Sequence, residues 1–138
     1  MPVITRKLSV DSRGNCDIIS ITESVNSILA ELEISDGIVT VFVPGATGVV
    51  TTIEYEPGLL QDLPQLLDKL IPQGSYNHDR TWHDGNGHSH LRATLIGPSL
   101  TIPFSERTML LGTWQSVVFV DMDVRPRRRE LILQIIGE

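Results

Sequence analysis

At 138 residues and a net charge of −6, the chain has the size of one domain with one real core, and its acidic balance excludes general nucleic-acid binding. A content of 41% hydrophobic and 20% charged residues excludes a disordered chain, and no apolar run nears the roughly 20 residues that span a bilayer. No long apolar run follows Arg6-Lys7, so no signal peptide is read; the single Cys16 allows no internal disulfide and no cysteine-based metal site, and a reducing, cytoplasmic location follows.

Residues 3–10 alternate apolar and polar side chains, as a half-buried strand does, and a turn at 12–15 leads to a short strand over 16–19. Ser20-Ile-Thr-Glu23 is a capping-box pattern. Behind it Val25, Ile28, Leu29 and Leu32 fall on one helical face, ending at Asp36-Gly37. The run 38–43 reads as a strand buried on both faces, and 49–53 as a β-branched strand after the turn 44–48. Leu59, Leu60, Leu63, Leu66, Leu67 and Leu70 predict a second helix, with a kink or restart at Pro64 and Asp62 as a possible cap. The stretch 72–89 has no periodicity and reads as a long polar loop. Four strands follow, at 90–96, 99–104, 114–120 and 130–136. No repeat or linker divides the chain. The fold class expected is α+β: two packed antiparallel or mixed β-sheets, sandwich-like, with two short helices, in the order ββαββα followed by about four strands, all in one domain spanning 1–138.

All four histidines lie between positions 78 and 90. If the strand at 90–96 extends back, His88 and His90 share a face, and His78 or His83 from the loop would complete a three-histidine set. Such a set with one open position is the arrangement of catalytic zinc sites. Asp84 could fix an imidazole tautomer or ligate directly. The alternative is a set of solvated loop histidines, with Asp84-Gly-Asn86-Gly87 as a tight turn.

Elsewhere, Thr47 in Gly45-Ala-Thr47-Gly48 offers a hydroxyl to an anion, although a plain turn explains the glycines equally. Glu54 and Glu56 could pair as carboxylates or begin the following helix. Arg92 would share the face of His90 and could hold a phosphate or a carboxylate. Trp114 reads as a core or interface anchor, and Gln115 as a hydrogen-bonding group on the opposite side. Four of the eleven basic residues sit in Arg125-Pro-Arg127-Arg128-Arg129. They could contact phosphate or acidic partners, form a solvated turn or bridge subunits, nucleic acid being the least favoured partner.

Asp84-Gly-Asn-Gly-His-Ser-His90-Leu-Arg, Gly97-Pro-Ser-Leu-Thr-Ile-Pro103, Leu111-Gly-Thr-Trp-Gln115 and Arg125-Pro-Arg-Arg-Arg129 together resemble the YjbQ-like family, also described as secondary thiamine-phosphate synthase. The resemblance covers nearly the whole chain, including Glu54-Tyr-Glu-Pro-Gly58. It implies a sandwich-like α+β core, a homotrimer packed through sheets, and a weak activity joining a pyrimidine pyrophosphate to a thiazole phosphate. It also implies a metal site on His78 and His90. One departure bears on that site: the family reads Pro-His-Thr-Thr where this chain has Pro44-Gly45-Ala46-Thr47. The expectation is therefore that His88 replaces the missing ligand, giving His78, His88 and His90 around a divalent metal, zinc first and magnesium second. Glu56, Asp84 and Asn86 are the candidate catalytic groups. Thr47, Arg92, Gln115 and Arg127 are the candidate holders of a small phosphorylated molecule. The alternative function is a non-catalytic, metal-stabilised homotrimer or a ligand-binding protein.

Overall fold

A computed structural model describes residues 1–138. The chain runs β1 (Val3–Ser12), β2 (Asp17–Ser20), α1 (Thr22–Ala30), β3 (Gly37–Phe42), β4 (Gly48–Ile53), α2 (Pro57–Leu70), α3 (Asn77–Trp82), α4 (Gly87–Ile96), β5 (Ser99–Ser105), β6 (Thr108–Met109), β7 (Ser116–Asp121) and β8 (Arg127–Gly137). The strands form two antiparallel sheets, one ordered β1-β8-β3-β5-β6 and the other β2-β7-β4. The expected α+β sandwich is thus present, with four helices rather than two.

Alternation on β7 explains the layering. Val117 and Phe119 face the main core, which includes Val39, Val41, Leu131, Leu133 and Ile135 from the large sheet and Val25 and Leu29 from α1. Val118 and Val120 face the other way, onto Leu67 of α2 and Ala93 of α4. The small sheet is therefore buried on both faces, between the large sheet and the helices. The outer face of the large sheet is left uncovered: Val3, Ile38 and Phe42 are 59%, 42% and 41% exposed. Here β3 departs from the expectation of a strand buried on both faces, because no layer packs outside it.

Several local expectations change. Ser20 ends β2 and its hydroxyl meets that of Ser116, so the capping box does not form; α1 begins at Thr22 without a side-chain cap. Helix α2 runs without interruption through Pro64 and is capped by Glu56, not Asp62. Trp114 is 74% exposed and belongs to no core.

The largest correction is at 87–96, which is a helix rather than a strand. Its inward stripe is His88, Ser89, Arg92 and Ala93, while Leu91 and Leu95 point to solvent. Apolar residues mark the exposed side of α4, which is the reverse of the usual pattern and hides its period.

The two sheets are tied by a buried ion pair. Arg129 on β8 donates through Nε and Nη2 to the two carboxylate oxygens of Asp121 on β7, at 3.0 and 2.8 Å, and both side chains are almost wholly enclosed. The guanidinium also lies over the Phe119 ring, 6.0 Å from its centroid. Removing one partner strands the other charge in the core, which costs about 3–5 kcal/mol. Asp121→Ala should therefore destabilise the fold by that amount in urea denaturation; a change within experimental error would show that the pair contributes nothing.

Candidate functional site

The candidate site is built from the ends of three elements brought together by the ion pair. Thr47, at the entry to β4, is buried. Its hydroxyl accepts from Arg129 Nη2 at 2.8 Å and donates to Asp123 Oδ2 at 3.1 Å. Asp123, just beyond β7, is also buried and is saturated with donors. Its Oδ1 accepts from Val124 N (2.8 Å) and Asn86 Nδ2 (3.3 Å), and its Oδ2 accepts from Thr47 and from Arg127 Nη1 (3.2 Å). Desolvation works to raise the Asp123 pKa, but these hydrogen bonds and Arg127 outweigh it and hold the carboxyl below its ordinary value.

Asn86, preceding α4, carries the network outward. Its Nδ2 must face the carboxylate, which can only accept, so its Oδ1 is left to accept from His78 Nε2 at 3.0 Å. This places the His78 proton on Nε2 and leaves Nδ1 as the lone-pair nitrogen. The His78 ring stacks at a tilt on His90, with centroids 4.4 Å apart, and Asp84 Oδ2 stands 3.6 Å from Nε2. Two clefts flank the Asn86–His78 bond. One, of about 280 Å³, is lined by Asp84, Asn86, Asp123, Val124 and Arg125. The other, of about 360 Å³, is lined by Tyr76, Asn77, His78, Gly87, His90 and Leu91.

Asp79 clamps α3 to α4. Its Oδ2 accepts from Tyr76 N at 3.1 Å and its Oδ1 from Gly87 N at 3.0 Å. The segment 72–89 is thus not one long loop but a short helix pinned to the next.

The expected three-histidine centre is not assembled. In a helix, residues two apart point about 200° from one another, so His88 and His90 diverge. His90 lies beside His78. His88 turns inward, with Nδ1 buried and unpartnered beside the equally unpartnered Ser89 hydroxyl, and burial, followed by Arg92, pushes its pKa down. No three His, Cys, Asp or Glu side chains come together in a way that could hold an ion. The donor set of this chain therefore does not fit a zinc or magnesium centre on His78, His88 and His90.

The other candidate residues divide. Asp84, Asn86, Thr47 and Arg127 belong to the network or its cleft. Arg92 instead turns inward, where Nε and Nη2 donate to the Ile71 carbonyl and Nη2 to Asp68, so it secures the C-terminal end of α2. Glu56 caps α2, accepting from Gly58 N and Leu59 N at 2.9 and 2.6 Å. Gln115 holds its own loop, accepting from Gly112 N and donating to Thr52. Glu56 and Gln115 line a cleft that shares no residue with those beside His78. Asp79, Asp121 and Asp123 are the residues that sequence reasoning missed, and Arg129 stands out in the sequence only as one of the arginine run. A signal was present: charges two apart in apolar strand surroundings, Asp121 and Asp123 facing Arg127 and Arg129, are candidates for buried pairing.

The backbone N–H of Tyr76, then that of Gly87, holds the Asp79 pKa below its ordinary 3.8. A depressed carboxyl contributes stability that is present above the unfolded pKa and lost as pH falls through the folded one. Melting temperature should therefore drop on acidification below about pH 4, and the drop should be shallower in Asp79→Asn; identical profiles for the two proteins would refute the clamp.

The family model described as "UPF0047 protein YjbQ-like" matches residues 6–138. A UPF0047 protein of Archaeoglobus fulgidus is 37% identical over 129 residues, covering 93% of this chain and 98% of its own length. One of Methanothermobacter thermautotrophicus is 36% identical over 139 residues, covering 100% of this chain and 95% of its own. The crystal structure of a protein of unknown function from Sulfolobus solfataricus, described as YbjQ-like, superposes with a TM-score of 0.92 at 27% identity over 99% of both chains. A hypothetical protein from Aeropyrum pernix gives 0.89 at 33% identity over 98% of this chain and 99% of its own. No helix is long and apolar enough to cross a membrane. Motifs, fold and whole-length similarity agree: the chain belongs to the YjbQ-like UPF0047 family.

Proposed function

We propose that this protein binds a small phosphorylated metabolite in the clefts beside His78 and Asn86, and that His78 acts there as the proton-accepting group. The observation that carries this reading is the chain of hydrogen bonds from buried Asp123 through Asn86 to His78 Nε2. It fixes one imidazole tautomer and turns a partly exposed ring into an oriented base, the requirement for general acid–base work. Arg125 at the rim of the neighbouring cleft supplies a cation for an anionic ligand.

The first substrates to try are a pyrimidine pyrophosphate and a thiazole phosphate, the pair implied by the resemblance in the motifs, both of which carry phosphate groups. With a turned-over phosphorylated substrate, His78→Ala should lower kcat by about a hundredfold, the usual size of an acid–base contribution. Asn86→Ala should lower it less, because the base survives but loses its orientation. Wild-type rates in both variants would remove His78 from the reaction.

A second reading concerns assembly. The uncovered sheet face carrying Val3, Ile38 and Phe42 supports association of copies of this chain, with the homotrimer as the proposed state. In sedimentation, Phe42→Lys should convert trimer to monomer; a wild-type protein that sediments as a monomer ends this reading.

A further inference from the structure

Position 45 is a glycine that stands directly over a buried guanidinium. Gly45 has φ of +151°, within the range that L side chains rarely adopt. A Cβ placed on it would stand 3.1 Å from Arg129 Nη1. That nitrogen is the one part of the guanidinium left over. Nε and Nη2 are committed to Asp121 and Thr47, whereas Nη1 donates to no group of the chain. The side chain itself is only 3% exposed, so it cannot swing out to find another partner. The absence of a side chain at 45 is what gives Nη1 access to the exposed surface of Pro44, Gly45 and Ala46.

The backbone above it is also rich in unused donors. The N–H groups of Gly45, Ala46 and Thr47 meet no acceptor in the protein. Asp121 and Asp123 accept through all four oxygens from other donors, so neither takes up Nη1 or these amides. A buried guanidinium with a free N–H below, and a row of free amides at the rim, is a donor set without an acceptor. Its chemical complement is a tetrahedral anion with several acceptor oxygens.

We propose that the loop 44–47, over Arg129 Nη1, is a phosphoryl-binding subsite that takes the phosphate of the ligand. This deepens the functional reading above and rests on it only for what happens to the rest of that ligand. Four hydrogen bonds in series connect the two places: Arg129 to Thr47, Thr47 to Asp123, Asp123 to Asn86, and Asn86 to His78. An anion held at 45–47 is thereby registered against the His78 base by the protein's own network rather than by a metal.

The test is an NMR titration of the whole chain with inorganic phosphate, methyl phosphate and, as a control, acetate. Both phosphates should shift the amides of Gly45, Ala46 and Thr47 and the Arg129 side-chain signals saturably, and acetate should not. Ala46→Asp places a like charge at an exposed position. It should weaken phosphate binding about tenfold or more with an unchanged melting temperature. Gly45→Ala, whose methyl group crowds Nη1, should weaken it as well. His78→Ala should retain phosphate binding whatever it does to turnover, which separates failure of this subsite from failure of the base. Shifts confined to other residues, binding unaffected by Ala46→Asp, or equal binding of acetate would each overturn the proposal.

Discussion

The Arg129–Asp121 pair is the constraint on which the rest of the molecule depends. It spans the gap between the two sheets, at the ends of β8 and β7, where apolar contact alone would leave both strands free to splay. Its geometry is bidentate and enclosed, so each charge is compensated where it sits. A hydrophobic pair could have filled the same volume. What it could not do is offer hydrogen-bond donors beyond the pair, and those donors define this end of the protein.

From that anchor, polarity propagates outward in steps. Thr47 relays from Arg129 to Asp123, Asp123 organises Asn86 and Arg127, and Asn86 orients His78. Each member hands on to the next, which is how a buried polar network rigidifies a structure, and only Arg129 Nη1 is left over. Two further unpartnered groups, His88 Nδ1 and the Ser89 hydroxyl, lie buried on α4. The helix is held there by Arg92 and by the Asp79 clamp rather than by a broad apolar face.

Glycine at position 45 and the divergent histidines go together with the lack of a metal centre. A metal centre needs ligands that converge. Here the candidates diverge: His78 and His90 face one another, His88 faces the core, and Gly45 exposes a guanidinium. The cation at this end of the molecule is supplied by arginine, permanently charged and rich in directional donors. The relatives match along the whole chain, so the scaffold is shared, whereas the chemistry of a site rests on its own residues.

The sequence by itself determined the β-rich α+β class, most strand positions and the family, and it singled out the segment around His78–His90 by its clustered histidines. These were legible because strand alternation and motif order are local properties. The tertiary structure alone decided that 87–96 is a helix, since its buried face is His88, Ser89, Arg92 and Ala93 and no apolar period announces it. It alone decided which charges pair, because Arg129 meets Asp121 and Thr47 only when two sheets close on one another. The separation of His88 from His90 follows from the same helix. Partners distant in sequence are chosen by packing, and packing is not written in any single window of residues.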